Sequence, residues 1–250
     1  MYLTTIFSIR ALMKNHAPFK LTFFFQAHNL ILTAGSGLLL ALIAEEIVPI
    51  WWQHGFFDAI CNSRSWTPRL EFYYLINYYI KYVELIDTIF LALKKKPLAF
   101  LHVFHHSATA LLCYTQLNGR TSVSWVPIVL NLMVHVLMYY YYFATAGGAK
   151  IWWKKYLTTM QITQFVIDLC IVYFAVWQRL NHAGYLNLPY VEDCAGTDGA
   201  AAFGSLILTS YLFLFVDFYF RTYKSAPKGA TGKAKLANGN GVSGVHHKSS

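Results

Sequence analysis

Six mostly apolar stretches of about 20 residues or more, at residues 23–50, 70–93, 98–117, 123–146, 157–177 and 200–223, take up most of this chain. A backbone inside hydrocarbon has no water to bond, so each stretch long enough to cross it must satisfy its own N–H and C=O groups as a helix. The expected fold is therefore all-α and polytopic. A further apolar run, Tyr2 to Ile9, is too short to span. It is expected to be the abbreviated first of seven transmembrane helices, or the remainder of one whose upstream residues are missing. Composition agrees: 12% of residues are charged and 56% hydrophobic, whereas soluble domains are about 25% charged. Residues 1–10 have neither a basic start nor a small-residue cleavage site, so no cleavable signal peptide is expected.

The charges between these stretches alternate. One side collects Arg10, Lys14, Lys20, Lys94, Lys95, Lys96, Lys150, Lys154, Lys155, Arg221 and a basic tail. The other side holds Arg64, Arg69, Arg120 and Arg179. Lysine and arginine favour the cytosolic side of spans, which makes the first side cytosolic and puts the C-terminus there. The net charge of +9 is explained by this asymmetry and does not call for a nucleic-acid partner. Two regions are expected: a membrane domain over residues 1–223, and a disordered basic tail over 224–250 rich in Gly, Ala, Lys and Ser. Of the four cysteines, Cys113 and Cys170 fall inside spans, where a thiol behaves as a small apolar group. Cys61 and Cys194 fall in loops on the non-cytosolic side, where oxidising conditions favour a disulfide between them.

Several polar groups lie at membrane depth, where they are costly and mark functional sites by default. His102, His105 and His106 are spaced i, i+3 and i+4, so they share one helix face. Lys81, Glu84 and Asp87 form a stripe on the preceding span. Their plainer account is a charge-paired strut between helices. Asn131 lies one turn before His135, an arrangement that can hold an imidazole tautomer or bind an oxyanion. Gln161 and Gln164 admit an interhelical hydrogen-bonding role. Part of the Tyr139, Tyr140, Tyr141, Tyr142 run suits an interfacial aromatic belt. The His-x-x-His-His spacing also occurs in membrane di-iron desaturases and hydroxylases, but those need more histidines than one box supplies. A seven-helix transporter or receptor without chemistry is a third possibility. Taken together, these groups are best explained as the lining of a polar cavity.

Four motifs in order carry a resemblance that covers nearly the whole chain. They are Lys-Tyr-Val-Glu-Leu-Ile-Asp-Thr at 81–88, His-Val-Phe-His-His at 102–106, Asn131 through Tyr142, and Thr-Thr-Met-Gln-Ile-Thr-Gln-Phe at 158–165, with Lys-Lys-Lys-Pro at 94–97 between the first two. The chain resembles the ELO-type very-long-chain fatty acid elongases, and residues 111–127 are most similar to the fungal branch. The short first helix departs from the family pattern. The resemblance implies seven helices, six of them forming two three-helix units around a closed-ended acyl tunnel, in the endoplasmic reticulum membrane. It implies a decarboxylative condensation of acyl-CoA with malonyl-CoA to 3-ketoacyl-CoA, CO2 and CoA, with no metal or other cofactor. The products would serve very-long-chain and sphingolipid synthesis. Membrane lipid would surround the chain. A ketoacyl reductase and a dehydratase would be its partners in the cycle, and homo-oligomers are compatible with it.

Carried onto this sequence, the resemblance makes His105 the acyl-accepting nucleophile and His135 a partner of the enolate. His102, His106 and Asn131 would position and polarise. Lys81, Glu84, Asp87, Tyr139, Gln161 and Gln164 would bind substrate, and Lys94, Lys95 and Lys96 would meet the CoA phosphates.

Overall fold

The computed structural model describes residues 1–224, so the expected tail, apart from Lys224, lies outside the described residues. The described residues form seven α-helices: α1 (Tyr2–Leu12), α2 (Thr22–Cys61), α3 (Pro68–Leu93), α4 (Phe100–Gly119), α5 (Trp125–Ala146), α6 (Lys154–His182) and α7 (Asp198–Tyr219). No strand occurs among them. By length and composition, α2, α5, α6 and α7 are long and apolar enough to cross a membrane. At 26 and 20 residues, α3 and α4 are also long enough, but they carry the charged and imidazole side chains of the site. Large apolar side chains such as Ile31, Leu38, Leu206 and Phe213 point outward. A soluble protein does not tile its surface this way.

Local signals set the helix starts. Thr67 caps α3 by accepting from the Leu70 amide at 3.1 Å, and Pro68 occupies the first turn, where its missing N–H costs nothing. Thr197 caps α7 and Asp198 follows in its first turn, which suits the positive end of the helix dipole.

Two boundaries differ from the sequence-based expectation. The loop expected over 51–68 is largely helical: α2 continues past Pro49 and bends at Gly55 (φ 85°, ψ 168°) before ending at Cys61. Ala59, Ile60 and Cys61 in this extension are buried in the core, and the Ala59 carbonyl accepts from the Trp125 indole at 2.7 Å. That burial draws the segment inward, and only glycine meets the bend without strain. Likewise, α6 runs beyond residue 177 to His182, because buried Gln178 and Asn181 accept backbone N–H bonds from Val191 and Leu188 in the loop folded back over them.

Helices α2, α3, α4, α7, α6 and α5, in that order, close into a ring, and α1 lies outside against α3. One apolar cluster comes mainly from α2, α3 and α5; the other is built on α6 and α7 with α4 against them. One pole of the ring is sewn together. Cys61 and Cys194 form a disulfide with Cα atoms 4.0 Å apart. The Ala195 amide donates to the Cys61 carbonyl at 2.8 Å, and the Thr197 amide donates to the Gly119 carbonyl at 3.1 Å. Gly119 lets α4 end directly against α7: a Cβ there would overlap Ala200 and come within 2.8 Å of the Thr197 hydroxyl.

The disulfide joins residues 133 apart in sequence, and by the chain-entropy argument such a closure contributes at most on the order of 4–5 kcal/mol. Cys61→Ser/Cys194→Ser is expected to unfold at lower temperature than the parent protein in the same detergent. Peptide mapping without reduction should recover the two cysteines linked. Recovery as separately alkylated thiols would refute the bridge.

Candidate active site

The charged stripe on α3 points into the ring. Lys81 and Glu84 are each 3% exposed, a placement tolerated only with full pairing. The Lys81 ammonium donates to Glu84 Oε1 at 2.7 Å and to Asn131 Oδ1 on α5 at 2.9 Å. An ammonium can only donate, so Asn131 must turn its oxygen toward Lys81 and its NH2 toward His135 Nε2, 3.2 Å away. In the neutral ring the proton then sits on Nδ1, which lies 3.1 Å from Glu84 Oε1, off the line of a good hydrogen bond. One buried lysine thus sets an amide orientation and an imidazole tautomer.

A second set of contacts lies nearer the end of α3. Asp87 accepts from the Tyr139 hydroxyl at 2.9 Å and pairs with His28 Nε2 of α2 at 2.9 Å. The adjacent Thr88 hydroxyl is 3.0 Å from His102 Nε2 and 2.7 Å from the Tyr2 hydroxyl of α1.

The three α4 histidines all line one cavity of about 400 Å³. The rings of His102 and His106 lie 4.3 Å apart. His105 is held differently. Its carbonyl accepts from Thr109 at 2.6 Å and from Tyr211 of α7 at 3.1 Å. Its ring is flanked by Tyr211 and Phe215, with centroids 4.6 and 5.8 Å away. Its Nδ1 is buried and has no hydrogen-bond partner. A second cavity, about 110 Å³ and mainly apolar, extends toward the disulfide pole. His105, Asn131, Gln164 and Phe165 line both, so they stand at the junction.

Most residues singled out in the sequence converge here. His102, His105, His106, Asp87, Asn131, His135, Gln161 and Gln164 line the larger cavity, and Lys81 lines the smaller. Glu84 and Tyr139 stand behind this lining as partners of Lys81 and Asp87. Cys61 and Cys194 sit at the far pole.

The lysines at 94–96 are the exception, since none lines either cavity. The Lys94 ammonium lies over the Phe25 ring at 3.8 Å, and partial burial, then the charge of Lys96, lowers its pKa. Lys95 donates to the Lys14 carbonyl at 3.0 Å. Lys96 is exposed beside Pro97, which does line the larger cavity. Lys154, read in the sequence only as a loop charge, lines that cavity itself. His28, Thr88, Tyr211 and Asp168 were also missed as site residues. For His28 and Asp168 the signal was present, as a titratable residue inside a mostly apolar stretch. Among the described residues, no three His, Cys, Asp or Glu side chains are grouped so as to hold a metal ion.

Comparison with known proteins bears on this site. The profile of the ELO (GNS1/SUR4) family matches residues 1–231. "Putative fatty acid elongase 1" of Schizosaccharomyces pombe is 51% identical over 238 residues, 93% of this chain and 71% of that protein. "Putative fatty acid elongase 2" of the same organism is 44% identical over 213 residues, 85% of this chain and 58% of that protein. "Fatty acid elongase A" of Dictyostelium discoideum is 38% identical over 223 residues, 89% of this chain and 80% of that protein.

Removing one member of a buried ion pair leaves the other unpaired, which costs about 3–5 kcal/mol, whereas removing both costs far less. Lys81→Met and Glu84→Gln are each expected to lower stability strongly. The double variant should recover much of the loss in a thermal double-mutant cycle. Additive losses would show that the pair is not coupled.

Proposed function

The chain belongs to the ELO family, and from that premise we propose that it is the condensing enzyme of fatty acid elongation, a very-long-chain 3-oxoacyl-CoA synthase. The observation that carries this reading is His105. Its unpartnered Nδ1 is buried where the two cavities meet. A thioester carbon placed at that junction has its acyl chain in the smaller cavity and its CoA toward the larger one, which reaches Lys154. We read the two apolar clusters as the two three-helix units, and the two cavities as parts of one acyl tunnel that ends at the disulfide pole.

In the first step an imidazole nitrogen of His105 attacks the acyl-CoA carbonyl. A C–N bond forms, the C–S bond breaks, and the CoA thiolate leaves with the imidazole proton. Malonyl-CoA then loses CO2 to give a thioester enolate. Its carbon attacks the acyl-imidazole, the C–N bond breaks, and His105 regains a proton as 3-ketoacyl-CoA departs. We assign the enolate to His135 and Asn131, whose orientation Lys81 sets, with the second amide N–H of Asn131 as donor to the enolate oxygen. His102 and His106 polarise the malonyl end. Asp87, Gln161 and Gln164 contact substrate, with Glu84 and Tyr139 holding the groups that do. Written this way the reaction needs no metal and no redox cofactor. The family assignment separates the chain from the di-iron enzymes considered on the histidine box.

Lys154 at the cavity and exposed Lys96 at its rim suit the CoA phosphates better than Lys94 and Lys95, which are engaged elsewhere. The charge asymmetry supports a cytosolic C-terminus, and membership of the elongase family supports an endoplasmic reticulum location, where CoA substrates are available on the cytosolic side and a ketoacyl reductase and a dehydratase take up the product.

His105→Ala is expected to lower condensation by at least about 10³-fold. With acyl-CoA alone, the wild-type protein should release CoA and gain the mass of one acyl group, and the variant should do neither. Absence of both signals in an active wild type would refute the covalent step. Lys96→Ala/Lys154→Ala is expected to raise KM for both substrates by about tenfold with little change in kcat, as when binding is lost equally from ground and transition states. An unchanged KM would remove the phosphate role.

A further inference from the structure

Helix α1 lies outside the ring, yet one of its side chains is tied to the site. Ile6 of α1 is fully buried, and the helix packs on α3. The Tyr2 hydroxyl meets the Thr88 hydroxyl of α3 at 2.7 Å, and Thr88 Oγ1 is 3.0 Å from His102 Nε2. Thr88 is 0% exposed, so no bulk water competes for its single proton. A helical threonine hydroxyl commonly turns back to the carbonyl four residues earlier, and Thr33, Thr145, Thr163 and Thr209 all do so. Thr88 does not. Among the described residues its hydroxyl meets Tyr2 and His102 instead.

One proton on Thr88 permits two arrangements. Either Tyr2 donates to Thr88 and Thr88 to His102, or His102 donates to Thr88 and Thr88 to Tyr2. A phenol is the strongest donor of the three and a neutral imidazole nitrogen the strongest acceptor, so the chain runs from Tyr2 to His102. His102 Nε2 then accepts, and the ring's own proton sits on Nδ1. The Nδ1 atoms of His105 and His135 are sealed in protein, whereas that of His102 is not sealed and has no partner among the described residues. The His102 ring lines the larger cavity, 4.3 Å from the ring of His106. With the proton on Nε2 it would turn a lone pair on that cavity, and a lone pair repels the oxygens of a malonyl group.

Resting on the condensing-enzyme reading, we propose that Tyr2 and Thr88 are positioning residues for His102: their hydroxyl chain fixes the tautomer in which His102 offers an N–H to the malonyl group. Neither residue lines a cavity, so both act through the imidazole. A helix outside the ring thereby takes part in the condensation step. His105, whose acyl transfer comes first, is held by Thr109 and Tyr211 and not by this chain. The two halves of the reaction therefore respond differently to its loss.

The test uses the full chain in nanodiscs and reads two rates. The first is CoA release from stearoyl-CoA alone; the second is 3-ketoacyl-CoA formation when malonyl-CoA is added to the acylated enzyme. Tyr2→Phe keeps the ring and removes the donor to Thr88. It should lower the second rate about tenfold, the size of one hydrogen bond, and leave the first unchanged. Thr88→Val keeps the shape and removes the chain altogether. It should lower the second rate about 10²-fold, the size of one lost transition-state donor, again with the first unchanged. Thr88→Ser should keep both rates. Because Tyr2 acts through Thr88, Tyr2→Phe should cost nothing further on top of Thr88→Val. Retained CoA release shows that a variant is folded, and a Thr88→Val protein that loses both rates leaves the decision to Tyr2→Phe. An unchanged second rate in Tyr2→Phe overturns the proposal, as does an equal fall of both its rates, which marks a structural role only. Additive losses in the double variant overturn it too. A wild type that makes no 3-ketoacyl-CoA fails the condensing-enzyme reading, and one that makes it without releasing CoA from stearoyl-CoA alone fails the covalent step; either result takes this proposal with it.

Discussion

A lysine and a glutamate removed from water inside a ring of helices constrain everything around them. Lys81 needs its ammonium saturated, and α3 alone supplies one partner, Glu84. The second comes from Asn131, so α5 must approach α3 across the ring's interior at a fixed rotation. Once Asn131 is committed, the neighbouring imidazole of His135 has its tautomer assigned. A hydrophobic contact in place of the ion pair would pack as well, but it would leave the amide and the ring free to turn. The ionic network thus links a question of helix packing to a question of which nitrogen carries a proton.

Much of this was legible in the sequence because charge in an apolar stretch is conspicuous. Lys81, Glu84 and Asp87, the three α4 histidines, and Asn131 with His135 stand out by type and by helical spacing, and the structure gathers them around two adjoining cavities, Glu84 behind the lining as the partner of Lys81. The same reasoning was less selective for Lys94, Lys95 and Lys96, none of which lines either cavity. A run of lysines announces a membrane surface but not which ammonium turns inward, because that depends on local partners such as Phe25 and the Lys14 carbonyl. It underreached at residues 51–61, expected as part of a loop, where the burial of Ala59, Ile60 and Cys61 held a helix instead. Tyr211 and Phe215 gave no signal at all. An aromatic residue on an apolar helix looks the same whether it faces lipid or an imidazole, and only the docking of α7 on α4 distinguishes them.

Both cavities are mainly apolar, and they differ in what is set into the lining: the larger one, near the lysine-bearing loops, holds four imidazoles, Asp87 and Lys154, and only His105 among the imidazoles reaches the one toward the disulfide pole. His105 stands where the two meet, its backbone carbonyl tied to α7 through Tyr211. A shift of α7 would move this histidine more directly than it would move His102, which answers to Thr88 and through it to Tyr2 of α1.

The disulfide also draws a covalent boundary through the site. Cys61 closes α2, and Cys194 follows α6. The circle they make holds α3, α4, α5 and α6, with the three α4 histidines, Asn131, His135 and both glutamines, and leaves α7 outside. Tyr211 and Phe215, the aromatic wall of His105, are thus the part of the site that no covalent closure ties to the rest. A chain cut after residue 194 would keep the circle and lose that wall.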